Sequence, residues 1–213
     1  MSKGERTSTK RSMALSRLLR HGAIKAGLQM TESGFVEIKS ILKLKGYPDW
    51  SVEELFSIAM NDKKNRFTLI DSEGNLANSP LTAYKIRANQ GHSIAGVIND
   101  QSLLCQITDP TGYTDIVHGT YYRHLPSILS SGLSRMRRNH IHFAQILEDS
   151  SQLNIPGIRN SVQILIYIDM ERAIKRGGLR FFRSQNNVIL TPGDANGFLP
   201  SQYFRKIMDK KTG

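Results

Sequence analysis

The side chains of this 213-residue chain with the clearest chemical potential are arginines that stand close to histidines. Arg20 is followed directly by His21, and Arg138 is followed by His140 and His142. A guanidinium offers planar paired donors to a phosphate and stays charged, whereas an imidazole titrates near neutral pH. These pairs suit an anionic substrate. A solvated arginine with a histidine at the end of a helix would give the same local pattern.

Three polar segments have compositions that suit a phosphate, a sugar or a nucleotide. They are Arg87–Ser93, His118–Thr120 and Phe182–Val188. Each follows or precedes a strand-like run, and a glycine in the first two permits close backbone approach. Each is also typical of an ordinary polar loop or turn. The sequence has neither a G-x-G-x-x-G nor a P-loop motif to decide between these interpretations.

The sequence does not favour a metal centre. His140 and His142 would share one face of a strand, but no cysteine pair or carboxylate cluster lies near them in the chain. Cys105 is the only cysteine, so an internal disulfide is excluded and a reducing compartment is expected. We expect Cys105 to be a small buried hydrophobe.

The charge of the chain points to an anionic partner and is spread along its whole length. Lys and Arg number 29 against 18 Asp and Glu, a formal charge of +11. Residues 1–95 hold 15 basic and 9 acidic residues, and the remainder holds 14 and 9. The longest apolar run, Ile164–Ile168, is too short to span a bilayer, and no secretory signal is expected in Met1–Lys10. A generally basic, solvated surface remains the alternative explanation.

The periodicity of the first half predicts three helices and then a hairpin, the order of a winged-helix module. The predicted elements are a helix from Ser12, a helix over Phe35–Leu44, a helix opened by Ser51 and Glu54, and strands over Arg66–Ile70 and Tyr84–Arg87.

The second half predicts short strands that alternate with two short helices, which indicates an α+β fold. The predicted strands are Asp115–His118, His140–Phe143, Val162–Asp169, Asn187–Leu190 and Tyr203–Ile207, and the helices are Leu125–Ser131 and Met170–Lys175. The resulting domain prediction has a disordered basic segment over 1–10, a first lobe over 11–95, a linker over 96–114, a second lobe over 115–208 and a tail over 209–213.

Taken in order, ten short segments resemble the tRNA 2′-phosphotransferase family from about Met13 to Phe204. They are Leu15–His21, Asn61–Asp62, Arg66–Phe67, Arg87–Ala88, Gln90–Ser93, His118–Thr120, Gly132–Leu133, Arg138–His142, Phe182–Ser184 and Asn187–Thr191. Any one of them is a weak signal, but together and in register they are specific.

The resemblance implies a winged-helix-like RNA lobe followed by an ADP-ribosyltransferase-like lobe that binds NAD. It also implies an enzyme that removes the splice-junction 2′-phosphate from ligated tRNA. In that family the RNA phosphate displaces nicotinamide from NAD, which gives an RNA-2′-phospho-ADP-ribose intermediate. The products are 2′-hydroxyl RNA, nicotinamide and ADP-ribose 1″,2″-cyclic phosphate. NAD is consumed as a co-substrate and no metal is expected.

The family's functional residues carry over by position. The catalytic quartet matches Arg20, His21, Arg66 and Arg138. The implied NAD contacts are His118, Gly119, Thr120, His142, Arg183, Ser184, Asn187 and Val188. On the side of the RNA 2′-phosphate the matching residues are Arg87, Gln90, His92 and Ser93.

Two other functions stay open on the sequence alone. One is an ADP-ribosyltransferase that caps terminal phosphates of nucleic acids, and the other is a non-enzymatic winged-helix protein that binds nucleic acid. The helix after Ser51 carries Glu53 and Glu54 and few cations, which disfavours reading of duplex DNA. We expect a monomer that acts on 2′-phosphorylated tRNA or other RNA inside the cell, in cytoplasm or nucleus, without a membrane.

Overall fold

The computed structural model describes residues 3–94, 96–146, 158–159 and 161–212, and the chain divides into two compact units. The N-terminal unit is Met1–Leu103 and the C-terminal unit is Leu104–Gly213. Helices and antiparallel strands occur in both units, so the α+β class is confirmed. The finer lobe types and the domain boundaries stay predictions.

The N-terminal unit combines helices with a small antiparallel sheet in the order β1-β3-β2. Its elements are α1 (Lys3–Arg17), a π-helical turn (Leu18–Gly22), β1 (Val36–Glu37), α2 (Ile38–Ile41), α3 (Val52–Met60), β2 (Phe67–Ile70), β3 (Lys85–Ala88) and α4 (Asp100–Leu103).

The apolar stripe that the sequence predicts on the first helix is buried in the core of the N-terminal unit. Leu15, Leu18 and Leu19 are at most 1% exposed, and Trp50 is buried with them. Burying such side chains contributes about 1.5–3 kcal/mol each. Ser51 caps α3, because its hydroxyl accepts a hydrogen bond from the Glu54 amide at 3.2 Å.

Two parts of the N-terminal unit differ from the sequence prediction. The helix α1 begins at Lys3, inside the segment 1–10 that we expected to be disordered, although this segment mixes good helix formers such as Lys3, Glu5 and Arg6 with poor ones such as Gly4 and Thr7. Arg11 further ties α1 to α3 through an ion pair with Glu54. Within the predicted helix Phe35–Leu44, Val36 instead pairs with Ile86 of β3, so a strand precedes the short helix.

The C-terminal unit is built on a seven-stranded antiparallel sheet in the order β12-β8-β5-β7-β10-β9-β4, with β11 and β6 paired separately. Its elements are β4 (Cys105–Ile107), β5 (Ile116–Thr120), a 3₁₀ turn (Tyr122–His124), α5 (Leu125–Ser131), β6 (Leu133–Ser134), β7 (Ile141–Gln145), β8 (Ile164–Ile168), α6 (Met170–Lys175), β9 (Phe181–Arg183), β10 (Ile189–Thr191), β11 (Phe198–Leu199), a 3₁₀ turn (Ser201–Tyr203) and β12 (Phe204–Asp209).

Both faces of the large sheet are covered. Along β8, Ile164, Ile166 and Ile168 belong to one apolar cluster, whereas Leu165 and Tyr167 belong to another. A strand buried on both faces needs a continuous apolar run, which is why β8 has no polar position.

The predicted linker 96–114 contains regular structure, because α4 and β4 lie within it. The expectation of a buried Cys105 is wrong, since its side chain is exposed. Among the described strands, β4 is the last of the sheet, and one of its edges pairs with no other described strand. Among the described residues, no helix has both the length and the apolar character needed to cross a membrane.

Candidate functional site

Arg20 and His21 lie on the π-helical turn that continues α1. Such turns insert an extra residue into a helix and are frequent at functional sites. The two residues before Arg20, Leu18 and Leu19, are buried and anchor the turn in the core. The side chain of His21 is exposed and that of Arg20 is half-buried.

The loop after β3 contacts this turn directly. The Ser93 amide donates to the Arg20 carbonyl at 3.0 Å, and His21 Nδ1 lies 2.8 Å from Ser93 Oγ. Gly91 has φ +89°, and a Cβ at this position would lie 3.4 Å from Arg20 Nε. Glycine is therefore suited to this position both by its backbone conformation and by the space that Arg20 takes.

Arg66 is held by Asp62, four residues earlier in the chain. Asp62 Oδ1 accepts from Arg66 Nη1 at 2.8 Å, and its Oδ2 accepts from the Arg66 backbone amide at 2.5 Å. The Asp62 side chain is 7% exposed and that of Arg66 is 33% exposed. One carboxylate thus holds both the backbone amide and the guanidinium of Arg66.

Asn89 supports the backbone at the same place. Its amide group donates to the Asn65 carbonyl at 2.8 Å, and its backbone amide donates to the Arg66 carbonyl at 2.8 Å. The side-chain oxygen Oδ1 of Asn89 accepts a hydrogen bond from Thr68 Oγ1 at 2.6 Å. Asn65 has φ +44°, so this network holds a left-handed residue directly before Arg66.

Arg20, His21 and Arg66 line one cavity of about 960 Å³ within the N-terminal unit. The other charged residues in its wall are Arg17, Glu54, Asp62, Lys63 and Lys64. Both carboxylates are paired with arginines, Glu54 with Arg11 and Asp62 with Arg66. Because the cations outnumber the acids, the cavity suits a polyanion.

The other residues predicted on the RNA side take different positions. Arg87 Nη1 donates to the Ser33 carbonyl at 3.1 Å, and its guanidinium lies 4.6 Å from the ring centroid of Phe35. Burial lowers the pKa of Arg87. His92 is 2% exposed. Neither residue lines the cavity, and neither does Gln90.

In the C-terminal unit, His118 on β5 and His142 on β7 occupy adjacent strands. His118 Nδ1 lies 2.9 Å from the His142 carbonyl oxygen. Burial lowers the pKa of His118, although the hydrogen bond to this carbonyl opposes the shift. A carbonyl only accepts hydrogen bonds, so the proton of the neutral ring is on Nδ1, and Nε2 is an acceptor.

Arg138 lies beside His142 in the same unit. Its Nη1 is 3.5 Å from His142 Nδ1, and its carbonyl accepts from Arg135 Nη1 at 2.9 Å. Desolvation, followed by repulsion from Arg159, lowers the pKa of Arg138. A guanidinium close to a second cation is poised to gain from an anionic ligand.

Gly119 is required by packing of the protein itself. A Cβ there would lie 2.9 Å from Ile158 Cγ2 and 3.1 Å from both methyl carbons of Val162. The sequence interpretation attributed this glycine to close approach of a ligand, and the described side chains give it a different reason. Its neighbour Thr120 is 5% exposed.

The remaining predicted NAD contacts lie on β9 and in the turn that leads to β10. Arg183 is exposed. Ser184 Oγ donates to Asn186 Oδ1 at 2.8 Å and accepts from the Val188 amide at 3.0 Å, so this hydroxyl stabilises the turn. Asn187 has φ +58°, a conformation that asparagine tolerates well.

The structure brings three members of the predicted quartet to one cavity and places the fourth, Arg138, in the C-terminal unit beside His142. The sequence interpretation missed the supporting roles of Asp62 and Asn89, although Asp62 stands in a segment that carries the resemblance and Asn89 lies between two of them. The four-residue spacing of Asp62 and Arg66 indicates an ion pair only on a helix, whereas here the contacts depend on the turn before β2 and its pairing with β3. Within the described residues, no group of three or more His, Cys, Asp or Glu side chains could hold a metal ion.

Comparisons with known proteins agree over most of the chain. The family model described as "RNA 2′-phosphotransferase, Tpt1 / KptA family" matches residues 6–193. The chain is 41% identical over 197 residues to "tRNA 2′-phosphotransferase 1" of Mus musculus, covering 92% of this chain and 75% of that protein. The protein of the same description from Danio rerio is 40% identical over 196 residues, with 92% and 83% covered. The "tRNA 2′-phosphotransferase" of Saccharomyces cerevisiae is 30% identical over 208 residues, with 93% and 83% covered.

Proposed function

The chain belongs to the RNA 2′-phosphotransferase, Tpt1 / KptA family, and we propose that it removes the splice-junction 2′-phosphate of tRNA with NAD as co-substrate. The observation that carries this proposal is the cavity that Arg20, His21 and Arg66 line together. A 2′-phosphate is dianionic near neutral pH, and arginines bind such a group through paired donors without metal ions.

The proposed roles in the cavity follow from how each side chain is held. Arg66, fixed by Asp62, presents a guanidinium in a set direction, which favours positioning of the phosphate. Arg20 supplies a second guanidinium from the π-helical turn. His21, oriented through Ser93, supplies a group that can exchange a proton with the RNA ribose.

We propose that the C-terminal unit is the ADP-ribosyltransferase-like lobe and holds NAD. When bound, NAD supplies the ribose carbon that accepts the phosphate and the nicotinamide that leaves. The chemistry of the side chains fits such a ligand. A neutral His118 offers Nε2 as an acceptor for a ribose hydroxyl, and the exposed Arg183 offers a cation for the pyrophosphate.

Arg138 is proposed to bind the transferred phosphate from the C-terminal unit. Its lowered pKa reflects a guanidinium that is partly desolvated and close to Arg159, and an anion would relieve both costs. His142 contacts this guanidinium through Nδ1, so the two residues are proposed to orient each other. The remaining NAD contacts, Gly119, Thr120, Ser184, Asn187 and Val188, are proposed by position in the family pattern.

The finer fold is part of the same proposal. The order of helices followed by the β2–β3 hairpin supports a winged-helix-like RNA lobe in the N-terminal unit. We propose that the protein acts inside the cell, where tRNA is processed, and that it acts as a monomer. The relatives are named as enzymes, which favours catalysis over the non-enzymatic binding protein that the sequence left open.

The test is release of nicotinamide from NAD in the presence of a short RNA with one internal 2′-phosphate. We expect release with this RNA and none with the same RNA bearing a 2′-hydroxyl. Arg66→Ala should abolish most of the release, whereas Arg172→Ala, which removes an exposed arginine of α6, should leave it unchanged. Nicotinamide release that does not depend on the 2′-phosphate would contradict the proposal.

A further inference from the structure

The cavity that contains Arg20, His21 and Arg66 is much larger than one phosphate group. Its volume of about 960 Å³ lies at the upper end of the range of about 300–1,000 Å³ in which proteins enclose whole drug-sized ligands. The cavity therefore has room beyond the three residues for more of the substrate than the reacting phosphate.

One wall of this additional space is a single face of α1. The lining residues of the helix are Thr9, Ser12, Met13, Ser16 and Arg17, which follow the spacing i, i+3, i+4, i+7 and i+8. The same face continues to Arg20. At 1.5 Å per residue the face is about 16 Å long, comparable to four or five stacked nucleotides at about 3.4 Å each.

Cations that the phosphate site does not require also line the cavity. Lys63 and Lys64 come from the segment between α3 and β2, and both are exposed, as is Arg17 of α1. Within the part of the chain that the structure describes, Arg17 and Lys63 enter no ion pair. Their charges are thus available to a polyanion that extends along the wall.

Met13 adds an apolar surface to the same wall. It is 66% exposed, although the buried face of the helix is formed by Leu15 and Leu18. A methionine that does not serve the core, placed among polar and cationic residues, offers a soft contact for the face of a nucleic-acid base.

We propose that Ser12, Met13, Ser16, Arg17, Lys63 and Lys64 form a flank track that binds the single-stranded RNA next to the 2′-phosphate. This inference rests on the proposed function. The track binds backbone phosphates through cations and bases through non-specific contact, so it tolerates sequence and adds affinity with RNA length.

The test compares two substrates that share one 2′-phosphate and differ in length. One is a 2′-phosphorylated dinucleotide and the other an eight-nucleotide RNA with the same central dinucleotide. We expect wild type to bind the longer RNA more tightly, with a steeper dependence on salt. Each lost phosphate contact should reduce the slope of log binding constant against log salt by about 0.7.

Two variants weaken the flank track and leave Arg20, His21 and Arg66 unchanged. Lys63→Ala with Lys64→Ala should raise KM for the longer RNA about fivefold to tenfold, leave kcat unchanged and alter KM for the dinucleotide less than twofold. The matched control is Lys43→Ala with Lys45→Ala, which removes two exposed lysines outside the cavity. Ser16→Glu should act like the first pair, and Gln29→Glu, which adds the same charge at an exposed position elsewhere, should have no effect.

The outcomes separate this inference from the proposed function. If wild type turns over neither substrate, the proposed function fails. If wild type is active but the Lys63 and Lys64 pair raises KM no more than its control, or raises it equally for both RNA lengths, the flank track is wrong.

Discussion

Asp62 holds Arg66 by accepting hydrogen bonds from both its backbone amide and its guanidinium. The carboxylate is nearly buried, whereas the arginine remains open to the cavity. A salt bridge between exposed residues contributes little, but here the pair determines where a proposed phosphate ligand meets a fixed guanidinium.

Replacement of Asp62 should therefore impair activity by misplacing Arg66. We expect Asp62→Ala to lower kcat/KM by about tenfold to a hundredfold, or about 1.4–2.7 kcal/mol. Asp62→Asn keeps one acceptor for the backbone amide and should lie between this variant and wild type. The measurement is steady-state turnover of 2′-phosphorylated RNA, with the melting temperature recorded for each variant.

The control for this prediction is Glu171→Gln, which breaks an exposed ion pair with Lys175 at the same four-residue spacing. It should leave kcat/KM unchanged. Wild-type turnover by Asp62→Ala would show that Arg66 does not need this carboxylate.

His118 gives the folded state a defined dependence on pH. Its pKa in the unfolded chain is about 6.5, and burial lowers the pKa in the folded state. Below pH 6.5 the unfolded chain therefore binds more protons than the folded one. The free energy of unfolding should fall as the pH decreases from about 6.5 toward the lower pKa, by up to about 1.4 kcal/mol per pH unit.

Denaturant unfolding at pH 7.5, 6.5 and 5.5 measures this effect. His118→Gln should flatten the slope between pH 6.5 and 5.5, because the titrating group is gone. His124→Gln removes an exposed histidine and should retain it. Equal slopes in wild type and His118→Gln would mean that His118 is not held neutral by burial.

Gly119 should tolerate no side chain, for reasons of packing. In Gly119→Ala the new methyl group would press on Ile158 and Val162, and we expect a loss of about 1–3 kcal/mol in the free energy of unfolding. Gly22→Ala is the comparison, since a Cβ there meets only ordinary contacts and alanine favours a helix. If Gly119→Ala is as stable as wild type, the described contacts do not explain this glycine.

Arg138 should matter most when charge builds up on the phosphate as it leaves the RNA. We expect Arg138→Ala to slow release of 2′-hydroxyl RNA by roughly two to three orders of magnitude, as for the loss of a donor to a developing anion. Arg138→Lys should recover only part of the rate, because a lysine lacks the paired donors. RNA that carries ADP-ribose on its 2′-phosphate should accumulate during the reaction of Arg138→Ala, and gel analysis of the RNA measures it. Wild-type turnover would rule out this role, as would failure without this RNA species while NAD still binds.

The sequence predicted best the helices whose ends are marked by residues of the helix itself or directly beside it. Helix Leu125–Ser131 carries Pro126 in its first turn, and helix Met170–Lys175 has Asp169 as its N-cap, so both boundaries agree with the prediction. The strand at Phe181–Arg183 was missed because it is short and is defined by its partners. It pairs with β4, which is distant in sequence, and with β10, which follows after a turn.

The site shows the same division between local and long-range information. Arg20, His21 and Arg66 were predicted through the family resemblance, and the structure places them on one cavity. Periodicity placed Arg20 and His21 off the buried face but could not reveal the π-helical turn, which alters the spacing that periodicity assumes. The contacts of Asp62 and Asn89 depend on folded backbone positions outside any helix, so the helical periodicity of the sequence did not predict them.

In the proposed reaction the 2′-phosphate passes from RNA to a part of NAD. The most direct measurement labels the 2′-phosphate of a short RNA with ³²P and identifies the molecule that carries the label afterwards. We predict that the label leaves the RNA only when NAD is present and appears in an ADP-ribose phosphate. Label released as inorganic phosphate without NAD would contradict the account, as would label that remains on RNA joined to ADP-ribose with wild-type protein.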